Sequence, residues 1–225
     1  MKKQVLIVGL GRFGASLATT FFDMGHDVLA IDEDEKKVQS VAPHITHAIQ
    51  ADATDEEVLK EMGVGNFDVA IVTMGEAIQN SVLATILLKK LGVRYVIARA
   101  ENELHGSILD KIGADKVVYP EREMGIRVAH GVALSEVSDY ISVAIGYGVS
   151  KFIAPPHMVG KSLSDLGLGR GGKWGLAVLL IQREKGVIVT PDRSEVVKGG
   201  DVLIMAGNDD KLEQLLAEGK KHKSE

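Results

Sequence analysis

Gly9-Leu10-Gly11-Arg12-Phe13-Gly14 follows the apolar run Val5-Leu6-Ile7-Val8 directly and opens a helical pattern directly after it. A G-x-G-x-x-G set between a strand and a helix has few uses. Its first glycine makes a tight turn, its second lets a diphosphate approach the backbone, and its third lets helix and strand pack closely. The amides at the helix start then face the phosphates. This segment therefore predicts a βαβ unit that begins a doubly wound sheet.

The rest of the first half agrees. Apolar strand candidates at Val5–Gly9, Val28–Ile31, Ala48–Ala51, Val69–Thr73, Tyr95–Ala98 and Lys116–Tyr119 alternate with helical patterns at Phe13–Met24, Glu35–Val41, Asp55–Met62, Ala77–Leu91 and Leu104–Ile112. Strands apolar on both faces and separated by helices imply a parallel sheet covered on both sides, wound by right-handed crossovers. Gly25, Gly63, Gly92 and Gly113 stand where helix ends want a left-handed residue. Thr54 with Glu57 fits a capping box at a helix start.

After Pro120 the pattern changes, so the expected organisation is a nucleotide-binding lobe over 1–120, a crossover helix over 121–138 and a smaller α+β lobe over 139–225. Glu121–Val137 reads as one helix with Met124, Val128 and Val132 on one stripe, either docked on the chain's own sheet or pairing two protomers. Beyond it, Ile141–Ile145 and Ser150–Ala154 read as strands and Lys161–Leu168 as a short helix before the glycine-rich loop 167–172. Leu176–Arg183 and Val187–Thr190 read as a hairpin across Glu184-Lys185-Gly186. Val202–Ala206 reads as a strand and Asp209–Ala217 as a closing helix.

Composition removes several function classes. There are no cysteines, so disulfides and thiolate nucleophiles are excluded. A formal net charge of −5 gives no bulk attraction to nucleic acid, and Lys220-Lys221-His222-Lys223 reads as a solvated tail. No apolar run approaches the roughly 20 residues of a spanning helix. Met1-Lys2-Lys3 runs straight into a buried strand rather than a signal peptide, so a soluble cytoplasmic chain is expected. The seven histidines are scattered without metal-type spacing, and no nucleophile elbow or Walker loop occurs. An enzyme is hard to assemble from these parts, and no catalytic residue is assigned.

The binding residues gather at strand ends. Asp32 ends the second strand about 20 residues past the glycines, where a carboxylate holds ribose hydroxyls and repels a 2′-phosphate, so NADP is disfavoured. The third strand runs into Asp52-Ala53-Thr54 and the fourth into Thr73-Met74-Gly75, both at the carboxyl edge where ligands of open α/β sheets sit. Asp52 reads either as a partner for an adenine amine or as a helix cap beside Thr54, and Met74 or Ile78 can cover the base. Arg12 adds a permanent cation to a helix start already poised for phosphate, and Arg99 at the fifth strand's end can converge on the same phosphates. A surface ion pair is the alternative for either arginine.

With these residues in hand, the sequence resembles the RCK (regulator of K⁺ conductance) family, in particular the cytoplasmic KtrA/TrkA-type subunits of bacterial potassium-uptake channels. The resemblance is carried by Val8-Gly9-Leu10-Gly11-Arg12-Phe13-Gly14, Asp32, Asp52-Ala53-Thr54, Ile78-Gln79-Asn80-Ser81, Lys111-Ile112-Gly113-Ala114-Asp115 and Tyr119-Pro120-Glu121-Arg122-Glu123-Met124-Gly125. It implies an ATP/ADP site, with NAD(H) as a further ligand: Gly9, Gly11, Phe13 and Gly14 at the phosphate turn, Asp32 on the ribose, Asp52, Ala53 and Thr54 near the adenine. It implies that Arg12 reaches phosphates, including those on a neighbouring protomer's ligand, and that Arg99 is the family's basic residue. Glu121 matches a carboxylate that binds a cation between protomers in some relatives. Dimers assembled into an octameric ring beneath a separate membrane potassium-channel subunit are implied too, as is cyclic di-AMP at some C-terminal lobes, for which Arg170 and Lys173 are the candidates. The function expected is a gating subunit switched by nucleotide exchange; the alternative is an NAD(H)-dependent oxidoreductase or NAD(H) sensor.

Overall fold

The computed structural model describes residues 2–75, 77–133, 137–184 and 186–221, the side chains of 133 and 219–221 excepted. The chain divides into two compact units, Met1–Pro120 and Glu121–Glu225.

The first unit runs β1 (Gln4–Val8), α1 (Arg12–Asp23), β2 (Asp27–Asp32), α2 (Glu35–Val41), β3 (His47–Gln50), α3 (Glu56–Glu61), β4 (Val69–Val72), α4 (Ile78–Lys90), β5 (Val96–Arg99), α5 (Glu103–Lys111) and β6 (Lys116–Val118). All six strands are parallel, in the order β3-β2-β1-β4-β5-β6. β1 shows why. Its residues Val5 to Val8 have no exposed surface, with Val5 and Ile7 in one hydrophobic cluster and Leu6 and Val8 in the other. A strand that alternates between two buried faces needs helices on both. The chain winds outward from β1 through β2 to β3, then returns across to β4, so the order reverses between β1 and β4. A ligand crevice opens at such a reversal, beyond the carboxyl ends of the strands.

The capping box expected at Thr54 is not formed. Asp55 caps α3, its carboxylate accepting from the Glu57 and Val58 amides, while Thr54 donates its hydroxyl to Asp52. Adjacent capping residues compete for one helix start, and here the carboxylate has it.

The second unit holds α6 (Pro120–Ala133, its first residue at the unit border), β7 (Val137–Ala144), β8 (Tyr147–Ile153), β9 (Ala177–Arg183), β10 (Gly186–Val189), β11 (Val202–Asn208) and α7 (Asp209–Lys221). Its sheet is antiparallel in the order β10-β9-β11-β8-β7. Leu212, Leu215 and Leu216 of α7 are buried in the same cluster as Phe152, Ile181 and Leu203. Arg183 fastens the sheet to the loop before β11, reaching both Asp201 oxygens at 2.8 and 3.0 Å and Glu195 at 2.8 Å.

Several expectations change here. The helix expected to reach Val137 ends at Ala133, and Val137 is instead a buried residue of β7, because a β-branched apolar side chain serves this core better in a strand. Residues 134–136, which that helix would also have covered, lie outside the described residues, as do Lys185 of the hairpin turn, His222 and Lys223 of the basic tail, and Met1. Met124, Val128 and Val132 are exposed. The helix expected over Lys161–Leu168 is a series of turns. The amides of Leu163 and Ser164 donate to the Glu195 and Arg193 carbonyls, and the Ser162 hydroxyl donates to Asp165 at 2.6 Å. Leu163, Leu166 and Leu168 are buried although the backbone bonds elsewhere, and only Leu163 and Leu166 have the three-residue spacing of a helical face.

Candidate functional site

The glycine turn is held from both flanks. Gly9 donates its amide to the Ile31 carbonyl at 2.8 Å and takes φ of +96°, a left-handed conformation that disfavours any side chain. A Cβ there would also come within 2.9 Å of Met74 Cγ and Thr73 Oγ1. A Cβ on Gly14 would run into the Gly9 carbonyl oxygen and stand 2.6 Å from Thr73 Oγ1, so the third glycine is fixed by close packing of α1 on the turn. Gly11 is open, with no heavy atom within 4 Å of a Cβ built on it.

Thr73, which sequence reasoning left unassigned, carries this arrangement. It is buried, donating its hydroxyl to the Gly9 and Val8 carbonyls at 2.8 and 3.1 Å, while its own amide donates to the Val8 carbonyl. β4 is thereby tied to the turn after β1 across the reversal. Arg99 joins the same edge: its guanidinium donates to the Thr73 carbonyl at 3.3 Å and lies where a Cβ on Gly75 would be, 2.8 Å from Nη1. Met74, Gly75 and Arg99 are therefore brought to the glycine turn.

Asp32 stands at the end of β2 with one carboxylate oxygen accepting the Leu10 amide at 2.6 Å and the other the Asp34 amide at 2.9 Å. Lys37, in the first turn of α2, places its ammonium 3.3 and 3.4 Å from the two oxygens. One of two lysines in a charged run, Glu33-Asp34-Glu35-Lys36-Lys37, carries no signal of this pairing.

Farther out, Asp52 accepts from the Thr54 amide and hydroxyl, both at 2.7 Å, which makes a tight local turn. The Ala53 methyl is packed in the hydrophobic core beside Leu59, so only its backbone can face a ligand. Ile78 is the exposed first residue of α4, and Phe13 is half-buried on α1. Arg12 is exposed at the start of α1 and forms no ion pair among the described residues. Glu121 lies in the first turn of α6, in the other unit. No group of three or more His, Asp or Glu among the described residues is placed to hold a metal ion.

The helix starts at this edge differ. α2, α3 and α5 open on Asp34, Asp55 and Asn102, whose side chains accept backbone amides, and each has an acid in its first turn. α1 and α4, which follow the two strands at the reversal, open on Gly11 and Ala77 with neither among the described residues. Their amides face outward at the positive ends of two helix dipoles. At the capped α5 start His105 is buried, with Nδ1 accepting the Glu101 amide at 3.3 Å; burial lowers its pKa and Glu101 only partly offsets this, keeping the ring neutral.

In the second unit, the Lys173 ammonium is engaged by Glu218 at 3.0 Å and sits 4.4 Å from the Trp174 ring centroid.

A parallel doubly wound sheet with a glycine turn after its first strand and a carboxylate at the end of its second defines a Rossmann-like class of domain, here followed by an antiparallel lobe. The TrkA-N domain model matches residues 5–120 and the TrkA-C domain model residues 151–218. The chain is 41% identical over 208 residues to the Ktr system potassium uptake protein C of Bacillus subtilis, covering 92% of this chain and 93% of that protein. It is 35% identical over 217 residues to the Ktr system potassium uptake protein A of the same organism, covering 96% and 97%. A solved structure of the GsuK channel bound to NAD superposes with a TM-score of 0.53 at 23% identity, covering 96% of this chain and 39% of that one. The chain belongs to the TrkA-N/TrkA-C family, among the Ktr-type potassium uptake proteins.

Proposed function

We propose that this protein is the nucleotide-binding gating subunit of a potassium-uptake channel, in which ligand exchange changes the shape of a ring of these chains beneath a separate membrane pore. The observation that carries the reading is the pair of uncapped helix starts, α1 and α4, beside the Gly9–Gly14 turn at the reversal of the sheet. Capped neighbours on the same edge make that opening a local property of the site rather than of the fold.

The ligand we assign is an adenine nucleotide. The turn from Gly9 to Gly14 takes the phosphates, Asp32 the ribose, and Asp52, Thr54, Met74 and Ile78 surround the base. Arg12 and Arg99 read the charge at the phosphate end. ATP and ADP differ there by one phosphoryl group, so the two arginines supply the differential affinity that a switch requires; equal binding to both ring states would shift nothing. The relatives are named for potassium uptake, and the NAD-bound GsuK channel makes NAD(H) the second ligand to test.

Assembly is supported by the exposed stripe Met124, Val128 and Val132 on α6, which suits a crossover helix pairing two protomers within an octamer. Glu121 would complete a cation site only with donors from a second protomer. A cytoplasmic location follows from this role, and no helix among the described residues is long and apolar enough to cross a membrane. No catalytic step is assigned. Arg170 and Lys173 remain the candidates for a C-lobe ligand such as cyclic di-AMP, and Lys173 would first have to leave Glu218.

The test is to identify the nucleotide that co-purifies with the protein, measure the mass of the assembly, and record potassium flux through the reconstituted pore with ATP, ADP and NADH. Nucleotide-dependent flux is expected. Turnover of NAD(H) with alcohols or hydroxy acids that survives repurification would favour an oxidoreductase instead.

A further inference from the structure

Asp32 by itself would make the site reject a 2′-phosphate, because a carboxylate beside that position repels it. The structure adds a cation there. Lys37 holds its ammonium within 3.4 Å of both Asp32 oxygens. The Asp32 side chain is only 10% exposed and that of Lys37 45%, so the ammonium covers the carboxylate from the solvent side. Its inner side is occupied by the Leu10 and Asp34 amides. A ribose approaching from solvent therefore meets the ammonium as well as the carboxylate.

We infer that Lys37 sets the specificity of this site at the ribose 2′ position, making it accept a 2′-phosphate that Asp32 alone would exclude. The inference rests on the nucleotide reading above and concerns Lys37 alone. The physical basis is local charge. With Lys37 in place, the pair carries no net charge, and its ammonium swings on a flexible stem toward an anion without leaving the rim of the site. A 2′-hydroxyl competes with that ammonium for Asp32, whereas a 2′-phosphate gains a charge-assisted hydrogen bond from it. The two effects narrow the gap between ligands that differ only in this group.

The experiment measures dissociation constants of NADH and NADPH for the intact protein, for Lys37→Met and for Lys37→Arg. In the unmodified protein the two constants should lie within about tenfold of each other. Lys37→Met should widen the NADPH to NADH ratio by about tenfold, through weaker NADPH binding with NADH unchanged or tighter. Lys37→Arg should keep the original ratio. Retained NADH binding shows that the Met variant is folded, and a merely structural lysine would move both ligands together. An unchanged ratio in Lys37→Met, or strong rejection of NADPH by the unmodified protein, overturns the inference while leaving the nucleotide site intact. Failure of NADH, NADPH, ATP and ADP alike to bind the unmodified protein overturns both.

Discussion

Five helices within the first unit follow strands of the parallel sheet, and they begin in two ways. Asp34, Asp55 and Asn102 turn side chains back onto the first amides of α2, α3 and α5. Gly11 and Ala77 leave the first amides of α1 and α4 without such a partner among the described residues. The capped group stabilises the fold, since an N-cap contributes about 1 kcal/mol. The uncapped pair forgoes that, and in the function proposed above its amides are the donors for an anion. Both flank the strand reversal, so in that function one sheet edge is divided between stability and binding.

Five predictions test that division. The largest effect is expected at Gly14, where any side chain collides with the Gly9 carbonyl. Gly14→Val should lower stability in urea denaturation by about 3 kcal/mol and abolish nucleotide binding. A stable, binding-competent variant would show that α1 does not need its close approach to the turn.

Asp32→Ala comes next. It removes the acceptor of the Leu10 amide and, with it, the acceptor proposed for the ribose, and should weaken ATP, ADP and NADH alike by about tenfold or more in calorimetry. Selective loss of one ligand would place the ribose elsewhere.

Arg12→Ala should leave the melting curve unchanged, because Arg12 is exposed and without an ion pair among the described residues. Its effect belongs to the contrast between ligands: a loss of about 1.4 kcal/mol in differential binding cuts the ATP/ADP preference tenfold. Flux through the reconstituted pore should then be equal with either nucleotide. Intact nucleotide-dependent flux would transfer the sensing role to Arg99 or the crossover helix.

The smallest effects belong to the capped group. Asp55→Ala should cost about 1 kcal/mol of stability while nucleotide affinity stays constant. A matching loss of affinity would erase the distinction between the two kinds of helix start. His105, inside the capped start of α5, adds a pH dependence. Its folded pKa lies below the unfolded value of roughly 6.5, so the unfolded chain binds protons first as pH falls. Stability should be full above that value and decline below it, and His105→Gln should flatten that part of the profile.

What could be read in advance and what could not differ by range. The glycine turn, Asp32 and the six-strand alternation are local patterns, written within a few residues of one another, and the structure assembles them as parallel strands around one reversal. Boundaries that depend on distant partners were not legible. Leu163 and Leu166 stand three apart, as on a helix, yet the chain runs through turns there, with the Leu163 and Ser164 amides donating to the Glu195 and Arg193 carbonyls. Val137 continues the helical pattern of α6 but packs as a strand residue beside Phe152.

The same holds at the site. Thr73 lies 64 residues from the Gly9 carbonyl it supports, and its role exists only because β4 pairs with β1. Lys37 is one charge in a mixed run until α2 turns it back over Asp32. The sequence by itself determined the fold class and the glycine turn, because backbone sterics and hydrophobic periodicity act over a few residues. Tertiary structure alone decided which helix starts stay open, which threonine braces the turn and which cation meets the Asp32 carboxylate, because those depend on groups that only chain crossing brings within hydrogen-bond reach.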